Sequence, residues 1–178
     1  MLDYPHGCAE QITSQAFPQL ALSWLLALSP EQQITAENNV REVINRLRSY
    51  QTPEGGFAYW PGEPYISEWA TSYAVNFLAN AQKQGYAVPI QMLQHATNYM
   101  RQVANSWNRT EPWSQQDQAY RLYVLALAGK PDLAAMNRLK ETRLQRPVSQ
   151  WLLASAYALS NQQEIATKMI RDLSFEVT

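Results

Sequence analysis

The sequence predicts an all-α protein whose fold is an α/α toroid, a ring built from helical hairpins. Apolar residues recur at intervals of three and four along most of the 178 residues, which is the period of an α-helix. Two segments, 118–129 and 148–159, are apolar on more than one face, as helices buried on two sides are. No convincing alternation of apolar and polar residues indicates a strand. Buried inner helices that alternate with amphipathic outer ones favour a toroid, here as a single domain over residues 1–178.

The composition is that of a folded domain with a substantial core. Hydrophobic residues make up 46% of the chain and charged residues 16%, which is too apolar for a disordered chain. The net charge of -1, without a basic block, gives no electrostatic footprint for nucleic acid. The longest apolar runs, such as 20–28, are too short to span a bilayer. A single cysteine excludes an internal disulfide framework and a cysteine-rich zinc site, so we expect no metal and no cofactor.

The first two long helices have clear start and stop signals. A helix over 36–50 follows Thr35, a residue type that often serves as the N-cap. The next helix starts at Ser67, and Gly85 can end it because glycine readily adopts the left-handed conformation found after helix C-termini. Apolar residues line one face of each helix: Val40, Val43, Ile44 and Leu47 in the first, and Ala70, Tyr73, Ala74, Phe77, Leu78 and Ala81 in the second.

The later helices continue this pattern and include a weak internal repeat. Pro89 suits the first turn of the next helix, 90–106, where its missing N–H is harmless. That helix is partly polar, like 36–50, so both would lie outside the two apolar helices. Repeated helix–turn–helix units indicate a solenoid or a closed ring. In each of three segments an apolar helix with small residues ends, and a polar stretch that can begin the next helix follows: 23–32, 122–132 and 152–164.

The connection QTPEGGFAYWPGEPYIS, residues 51–67, is the least helical part of the chain. It contains three prolines, three glycines and four aromatic residues. Long loops of this kind are often functional. We favour aromatic side chains that pack back on the core and close the end of the ring, with a binding role as the alternative.

The stretch YPHGCAEQITS, residues 4–14, places the only cysteine at the start of a predicted helix. Residues three apart on a helix face one another, so Cys8 can meet Gln11. A thiolate is the reactive form of cysteine, and a helix N-terminus favours it. Its attack on the Gln11 carboxamide would expel ammonia and leave an internal thioester, which is an activated acyl group. Gly7 permits the tight entry to the helix, whereas the backbone of Glu10 points elsewhere and leaves its direct role open.

By spacing alone, Cys8 also fits a thiol buried as a small hydrophobic side chain. That is the usual situation of a lone cysteine in a folded protein. A cysteine and a glutamine three residues apart do not make a thioester by position, so the residue pattern leaves both interpretations open.

The residues around Cys8 resemble the thioester motif Gly-Cys-X-Glu-Gln of the alpha-2-macroglobulin and complement family. GCAEQ has this pattern, and YPHGCAEQ is similar to the bacterial form of the motif. Residues 47–89 are similar to the family's Gln-X-X-X-Gly-Gly-Phe loop and the helix after it. The resemblance implies a thioester domain, which is an α/α toroid, and one that is truncated relative to the family. It also implies that Cys8 and Gln11 are the thioester partners, supported by Tyr4, Gly7 and Glu10.

The resemblance implies a function as well. In this family a protease cuts a bait region elsewhere in the parent protein, the thioester is exposed, and the protease is captured covalently through a surface lysine. The chain would then be part of a single-use trap, an endopeptidase inhibitor, and not a turnover enzyme. Its partners would be target proteases and the neighbouring domains that shield the thioester. Bacterial members lie in the periplasm or cell envelope, which is the expected location of the parent protein.

The histidines bear on how such a thioester would react. Some complement members use a downstream histidine to redirect the thioester towards hydroxyl groups, and the corresponding stretch here, 106–116, contains none. We therefore expect direct attack by amines. His95 lies within a predicted helix and is expected to be structural or solvated. His6 is close to Cys8 in sequence and could help ionise the thiol, although local packing explains its position equally well.

Two alternatives to the trap are open from the sequence. QTPEGGFAYW also resembles loops of prenyltransferases and triterpene cyclases, which are enzymes on the same toroid. Such enzymes need an acidic cluster or a zinc site, and the chain has one cysteine, two histidines and no Asp-rich motif. A packing domain that has lost its thioester is the other alternative, although both Cys8 and Gln11 are retained. Because a thioester must be shielded from water, we expect the isolated chain to hydrolyse it readily or never to form it.

Overall fold

The computed structural model describes residues 7–108 and 111–171, which are almost entirely helical. Within these ranges β-structure is limited to isolated bridges, and no helix is long and apolar enough to cross a membrane. The chain divides into two compact units, 1–99 and 100–178. The helices are α1 (Ala9–Ala16), α2 (Gln19–Leu25), α3 (Pro30–Arg46), a 3-10 helix (Leu47–Tyr50), α4 (Glu68–Lys83), α5 (Ile90–Ser106), α6 (Pro112–Leu127), α7 (Leu133–Glu141), α8 (Pro147–Leu159) and α9 (Gln163–Arg171).

In the first unit, α1 packs against both α3 and α4, and α2 packs against α3. Ile12 of α1 is fully buried, as are Leu47, Phe57, Phe77 and Leu78. Burying an aliphatic or aromatic side chain of this size stabilises a fold by about 1.5–3 kcal/mol. The short α1 is therefore held in place by its apolar side, which fixes the position of its N-terminus.

Helix α3 begins earlier than the sequence predicts. Its N-cap is Ser29, whose Oγ accepts a hydrogen bond from the backbone N–H of Gln32 at 3.3 Å, while the Gln32 Oε1 accepts one from the Ser29 N–H at 2.9 Å. Pro30 occupies the first helical position, where its fixed φ favours the helix. The assignment of Thr35 as the N-cap is therefore wrong, because Thr35 lies inside α3 and donates to the Glu31 carbonyl at 2.8 Å.

The bounds of α4 agree with the prediction. Ser67 is its N-cap and accepts a hydrogen bond from the Ala70 N–H at 3.2 Å, and Gly85 follows the helix with a φ of +89°. Pro89 does not lie within the first turn of α5 but immediately before it. Its carbonyl accepts a hydrogen bond from the Leu93 N–H at 3.2 Å, so Pro89 serves the start of the helix as an acceptor.

In the second unit, α6 is buried on more than one face, as predicted, but its buried residues are not all apolar. Arg121 is buried and donates to the Gln118 Oε1, and the Gln118 Nε2 donates to the Ala104 carbonyl at 2.9 Å. A guanidinium in this position requires such acceptors, because burying an unpaired charge costs several kcal/mol. The buried apolar residues of α6 are Ala119, Leu122, Val124, Leu125, Ala126 and Leu127.

Helix α8 packs along α6 and also contacts α9 and α7. Leu153 and Tyr157 are fully buried, but Val148, Trp151 and Leu159 are 37–44% exposed. The sequence predicts that this helix is buried on two sides. Contacts with α6, α7 and α9 agree with that prediction, but they do not cover all of its apolar residues.

The 51–67 loop folds back on itself and lies against the start of α5. At Gly55 the φ is +100°, and an added Cβ would lie 2.6 Å from the carbonyl oxygen of His95, so no larger residue fits. The His95 side chain itself is exposed, which agrees with the expectation of a solvated residue. Two isolated bridges join the arms of the loop: Gln51 with Phe57, and Ala58 with Ile66.

The aromatic residues of this loop fall into two groups. Phe57 is fully buried, as expected for a side chain that closes the core. Tyr59 and Trp60 are about half-buried and lie edge to face, with ring centroids 5.9 Å apart, and Tyr65 is 81% exposed. The packing prediction is therefore confirmed for Phe57 and wrong for Tyr65, because the loop turns its later aromatic residues outwards.

Candidate functional site

Cys8 is the N-cap of α1 and forms a reciprocal pair of hydrogen bonds with Gln11, which we call the Cys8–Gln11 box. The Cys8 Sγ accepts a hydrogen bond from the Gln11 backbone N–H at 3.4 Å. The Gln11 Oε1 accepts one from the Cys8 backbone N–H at 3.0 Å. This is a capping box with sulfur in the place of the usual hydroxyl oxygen. The box holds the thiol and the carboxamide side by side at the helix N-terminus.

The two reactive groups of the box differ in their access to solvent. Cys8 is only 3% exposed, whereas the Gln11 side chain is exposed. A nucleophile from outside can therefore reach the carboxamide carbonyl while the sulfur stays covered. This asymmetry suits an acyl group that is attacked from solvent and a leaving group that remains within the protein.

The chain just before the box is held by the 3-10 helix. The Tyr50 hydroxyl donates to the Gly7 carbonyl, and both residues are buried. Burial raises the pKa of Tyr50 in spite of the nearby Arg46, so the hydroxyl keeps its proton and acts as a donor at neutral pH. Gly7 itself has little room for a side chain, since an added Cβ would lie 3.0 Å from the Ile12 Cγ2. Close packing therefore gives Gly7 a role in addition to the conformational freedom expected from the sequence.

Tyr59 joins the 51–67 loop to the box at two points. Its backbone carbonyl accepts a hydrogen bond from the Ala9 N–H at 2.9 Å, and its hydroxyl donates to the Glu10 Oε2 at 3.2 Å. The neighbouring Cys8 is the first of the influences that raise the pKa of Tyr59 to about 12, followed by burial and by Glu10. Tyr59 thus links the 51–67 loop to the motif glutamate and to the residue that follows the cysteine.

Sequence comparison identifies the family. The family model for the A-macroglobulin TED domain matches residues 1–107. The chain belongs to this family. It is 26% identical over 179 residues to an alpha-2-macroglobulin homolog of Yersinia pestis, a match that covers 96% of the chain and 9% of that relative. It is 30% identical over 152 residues to the alpha-2-macroglobulin of Escherichia coli (strain K12), covering 79% of the chain and 9% of the relative. The chain spans about a tenth of the length of these curated relatives.

Solved structures agree with the sequence match. The cryo-EM structure of native E. coli alpha-2-macroglobulin has a TM-score of 0.80 and 25% identity over 95% of the chain, which corresponds to 12% of that structure's chain. A Salmonella alpha-2-macroglobulin reacted with methylamine has a TM-score of 0.79 and 26% identity, covering 94% of the chain and 12% of that structure's chain. The predicted fold class, an all-helical α/α toroid, and the family resemblance are both confirmed.

Four of the six predicted site residues are brought together at the start of α1. Cys8 and Gln11 form the box, and their chain neighbours Gly7 and Glu10 accept hydrogen bonds from Tyr50 and Tyr59. Tyr4 and His6, which the sequence also assigns to the site, lie outside the described residues. No group of three or more His, Cys, Asp and Glu side chains that could hold a metal ion occurs in 7–108 or 111–171.

Sequence reasoning missed the two tyrosines that complete the site, Tyr50 and Tyr59. Both lie about 40–50 positions from Cys8 along the chain, so no local spacing rule connects them to it. For Tyr59 the signal was the aromatic content of the 51–67 loop, where a binding role was the less favoured alternative; Tyr50 precedes this loop. The hydrogen bonds show that this loop contributes directly to the surroundings of the thiol.

Proposed function

We propose that this chain is a thioester domain in which the Cys8 Sγ and the Gln11 side-chain carbonyl form an internal thioester, as part of a protease-trapping inhibitor. The Cys8–Gln11 box is the observation that carries this proposal, because it holds the two partners of the bond side by side. The thioester acylates an amine of an attacking protease once. The protein is therefore a consumed trap and not an enzyme that turns over.

The box also explains how the bond can form. The Cys8 thiol loses its proton and attacks the Gln11 Cδ; the Cδ–Nε2 bond then breaks, and the nitrogen leaves as ammonia with that proton. Negative charge develops on the Oε1 during this step. The Cys8 N–H, 3.0 Å from the Oε1, is at the distance typical of an oxyanion-hole donor. The same hydrogen bond that caps the helix thus stabilises the reacting oxygen.

Opening of the thioester follows the reverse chemistry with a different amine. The amine nitrogen attacks the Gln11 carbonyl carbon, the carbon–sulfur bond breaks, and sulfur leaves with the bonding electrons and gains a proton. The amine is now joined to Gln11 as an amide, and Cys8 is a free thiol. The exposed carboxamide supports access by a lysine of another protein.

The relatives support a protease as the target. Solved structures of E. coli alpha-2-macroglobulin include a trypsin-activated form and a form activated by porcine elastase, and a Salmonella alpha-2-macroglobulin was crystallised after reaction with methylamine. We propose the same class of target here, with capture after cleavage of a bait region in the parent protein. Residues 1–178 act in this proposal as a single domain, truncated relative to the family, whose thioester is shielded by neighbouring domains. Because the similar proteins are bacterial, we place the parent in the periplasm or cell envelope.

Intact mass with and without methylamine tests the thioester. The bond leaves the chain about 17 Da light and blocks the thiol, and methylamine then adds about 31 Da and frees Cys8. A chain that formed the bond and hydrolysed it carries Glu at position 11 and is about 1 Da heavy. Because Gln11 is exposed, we expect the hydrolysed form to accumulate in the isolated chain.

The matched control is Cys8→Ala, which should keep Gln11 unmodified under every condition. If the wild-type chain also keeps its full mass, with Gln11 intact and a free thiol, the bond does not form in the isolated chain, and the same test on the full-length parent decides. An intact Gln11 and a free thiol in the native parent overturn the proposal and leave a packing domain as the function.

A further inference from the structure

A groove of about 340 Å³ lies between α3 on one side and α1 with the start of α2 on the other, and we call it the α1–α3 groove. Ala16 and Val43 are buried and form its base. The rest of its lining is polar: Gln15, Gln19, Asn39, Glu42 and Arg46. The volume falls within the range of small-ligand sites in proteins, so the groove is large enough to receive part of another molecule.

The groove begins one helical turn beyond the reactive carboxamide. Residues four apart on a helix are neighbours on the same face, so Gln15 lies beside Gln11. The two sides of the groove run in opposite directions, because the 3-10 helix that follows α3 bonds to Gly7 at one end, and Asn39 bonds to Gln19 at 2.9 Å at the other. The groove therefore extends from the exposed Gln11 side chain away from the cysteine.

The polar groups of the groove are only partly used within the protein. The Gln19 Nε2 donates to the Gln15 carbonyl at 2.9 Å, and the Gln19 Oε1 accepts from the Asn39 amide. The exposed Gln15 carboxamide has no hydrogen-bond partner within 7–108 and 111–171. A carboxamide both donates and accepts, as do the N–H and C=O groups of a peptide main chain. The groove thus offers Gln15 to a ligand that carries both kinds of group.

The charges of the groove do not favour a ligand of one sign. Glu42 and Arg46 carry opposite charges and lie 3.9 Å apart, with side chains that are 65% and 26% exposed. Neither an acidic nor a basic ligand gains a net attraction from this pair. The amide of Gln15 and the balanced charges together suit a peptide main chain, which is polar and uncharged.

We propose that the α1–α3 groove is a substrate subsite, which binds an extended main-chain segment of the captured protein while a lysine of that segment attacks Gln11. This inference rests on the proposed thioester function and names a further part of its site. The groove forms no covalent bond: the lysine nitrogen joins the Gln11 carbonyl carbon, the carbon–sulfur bond breaks, and the Cys8 sulfur leaves with the bonding electrons and gains the proton that the nitrogen loses. Binding in the groove holds the amine near the carbonyl, which makes the attack effectively intramolecular.

The test is a competition at Gln11 in the full-length parent, after protease cleavage has exposed the thioester. Two probes offer the same lysine amine: Nα-acetyl-lysine amide, and the acetylated and amidated peptide Gly-Gly-Lys-Gly-Gly, which adds main chain alone. Both are supplied together at equal concentration, and mass spectrometry measures the two adducts on the peptide that contains Gln11. Their ratio does not depend on how much thioester is present, because both adducts arise from the same bond.

The two variants to compare are Gln15→Ala and Ser14→Ala. Gln15→Ala removes the carboxamide that the groove offers. Ser14→Ala is the matched control, because Ser14 is also exposed and one turn from Gln11, but its hydroxyl bonds to Tyr73 of α4 at 3.2 Å, outside the groove. We expect the wild type to favour the glycine-flanked probe and Gln15→Ala to lower that preference about two- to tenfold, the effect of one hydrogen bond. Ser14→Ala should keep the wild-type ratio.

Equal yields of the two adducts in the wild type would overturn the inference, and a neighbouring domain that covers the groove would give this result. A wild-type ratio in Gln15→Ala, or an equal fall in Ser14→Ala, would overturn it as well. Methylamine in a separate reaction separates this failure from that of the proposed function, since it carries no main chain and should join Gln11 equally in the wild type and in Gln15→Ala. If methylamine reacts but the probe ratio shows no preference, only the inference fails. If no amine joins Gln11, the proposed function fails first.

Discussion

Two helices in the first unit begin with the same capping box, and only one of the two boxes contains a thiol. At α1, the distances are 3.4 Å from the Gln11 N–H to the Cys8 Sγ and 3.0 Å from the Cys8 N–H to the Gln11 Oε1. At α3, the matching distances are 3.3 Å from the Gln32 N–H to the Ser29 Oγ and 2.9 Å from the Ser29 N–H to the Gln32 Oε1. The backbone geometry that brings a nucleophile to a carboxamide is therefore ordinary, since α1 and α3 share it.

The surroundings of the two boxes differ. Cys8 is buried, and Tyr50 of the 3-10 helix and Tyr59 of the 51–67 loop bond to its neighbours, whereas Ser29 is exposed. A serine hydroxyl is also a weak nucleophile unless a base activates it, while a thiol ionises far more readily. The comparison shows that the capping box places the nucleophile beside the carboxamide. The reactivity depends on the sulfur atom and on its burial.

The change with the largest expected effect makes the two boxes alike. Cys8→Ser keeps the cap, because a serine oxygen also accepts from the Gln11 N–H, but it removes the thiol. We expect complete loss of the mass deficit, of methylamine incorporation and of conversion of Gln11 to Glu. Peptide mass spectrometry measures all three, and a Glu at position 11 in this variant would show that the cysteine is not required.

The reverse exchange tests whether a thiol in a capping box is sufficient to form a thioester. Ser29→Cys in a Cys8→Ala background places a thiol in the exposed box of α3. We expect no conversion of Gln32 within the time in which wild-type Gln11 reacts, because position 29 is exposed, whereas Cys8 is buried and Tyr59 bonds to the adjoining Glu10. Conversion of Gln32 at the wild-type rate would mean that proximity alone makes the bond.

We expect a smaller effect when the hydrogen bond that holds the chain just before the buried box is removed. Tyr50→Phe keeps the ring but leaves the buried Gly7 carbonyl without its donor. An unsatisfied buried acceptor costs about 1–3 kcal/mol, so the free energy of unfolding should fall by that amount in urea titration. Tyr65→Phe serves as the control, with an expected change within about 0.5 kcal/mol because Tyr65 is on the surface. Equal stabilities of the two variants would contradict the role assigned to Tyr50.

We expect the exposed box at the start of α3 to affect the stability of the fold and not the reaction at Cys8. Ser29→Ala removes the acceptor for the Gln32 N–H, and the loss of an N-cap costs about 1 kcal/mol. The same urea titration measures this change, while the rate of thiol release from Cys8 should stay at the wild-type value. A change in that rate would show that the start of α3 influences the site at α1.

The smallest expected effect concerns a cap that carries a charge, Asp132 at α7. Burial alone would raise the pKa of Asp132, but the Ala135 N–H, the Asn105 amide and the charges of Arg101 and Arg138 outweigh it and lower the pKa below the ordinary 3.8. The stabilisation of the fold by ionised Asp132, on the order of 1 kcal/mol or less, is therefore complete at pH values above the pKa of the unfolded chain. It is lost as the pH falls through the lower pKa of the folded protein.

Thermal unfolding of the wild type and of Asp132→Asn between pH 5 and pH 2 measures this contribution. The amide of the variant still caps the helix but does not titrate, so the difference between the two proteins should shrink as the pH falls below 3.8. A difference that is constant over this range would assign no titrating role to Asp132.

Several structural features could be predicted from the sequence because they depend on neighbours along the chain. The face of α4, its Ser67 cap and its end before Gly85 follow from helical spacing and from local hydrogen bonding. The meeting of Cys8 and Gln11 follows from a separation of three residues. Thr35 was assigned wrongly as a cap because serine and threonine share this preference, and a Ser-Pro pair upstream begins the helix first.

Other features could not be predicted, because the groups involved are far apart in sequence. Gln118, which accepts from the buried Arg121, is itself buried in α6 and donates to the Ala104 carbonyl, 14 residues earlier in the chain. The partial exposure of α8 depends on which helices pack beside it, and its composition does not contain that information.

The sequence by itself determined the helical fold class, the family and the pair Cys8 and Gln11, because these depend on residue types at fixed short spacing. Tertiary structure alone decided that the sulfur is covered, that the carboxamide is exposed, and that Tyr50 and Tyr59 reach the start of α1. The physical reason is that burial and long-range hydrogen bonds are properties of packed surfaces. They arise only when the 3-10 helix and the 51–67 loop bond to the start of the first helix.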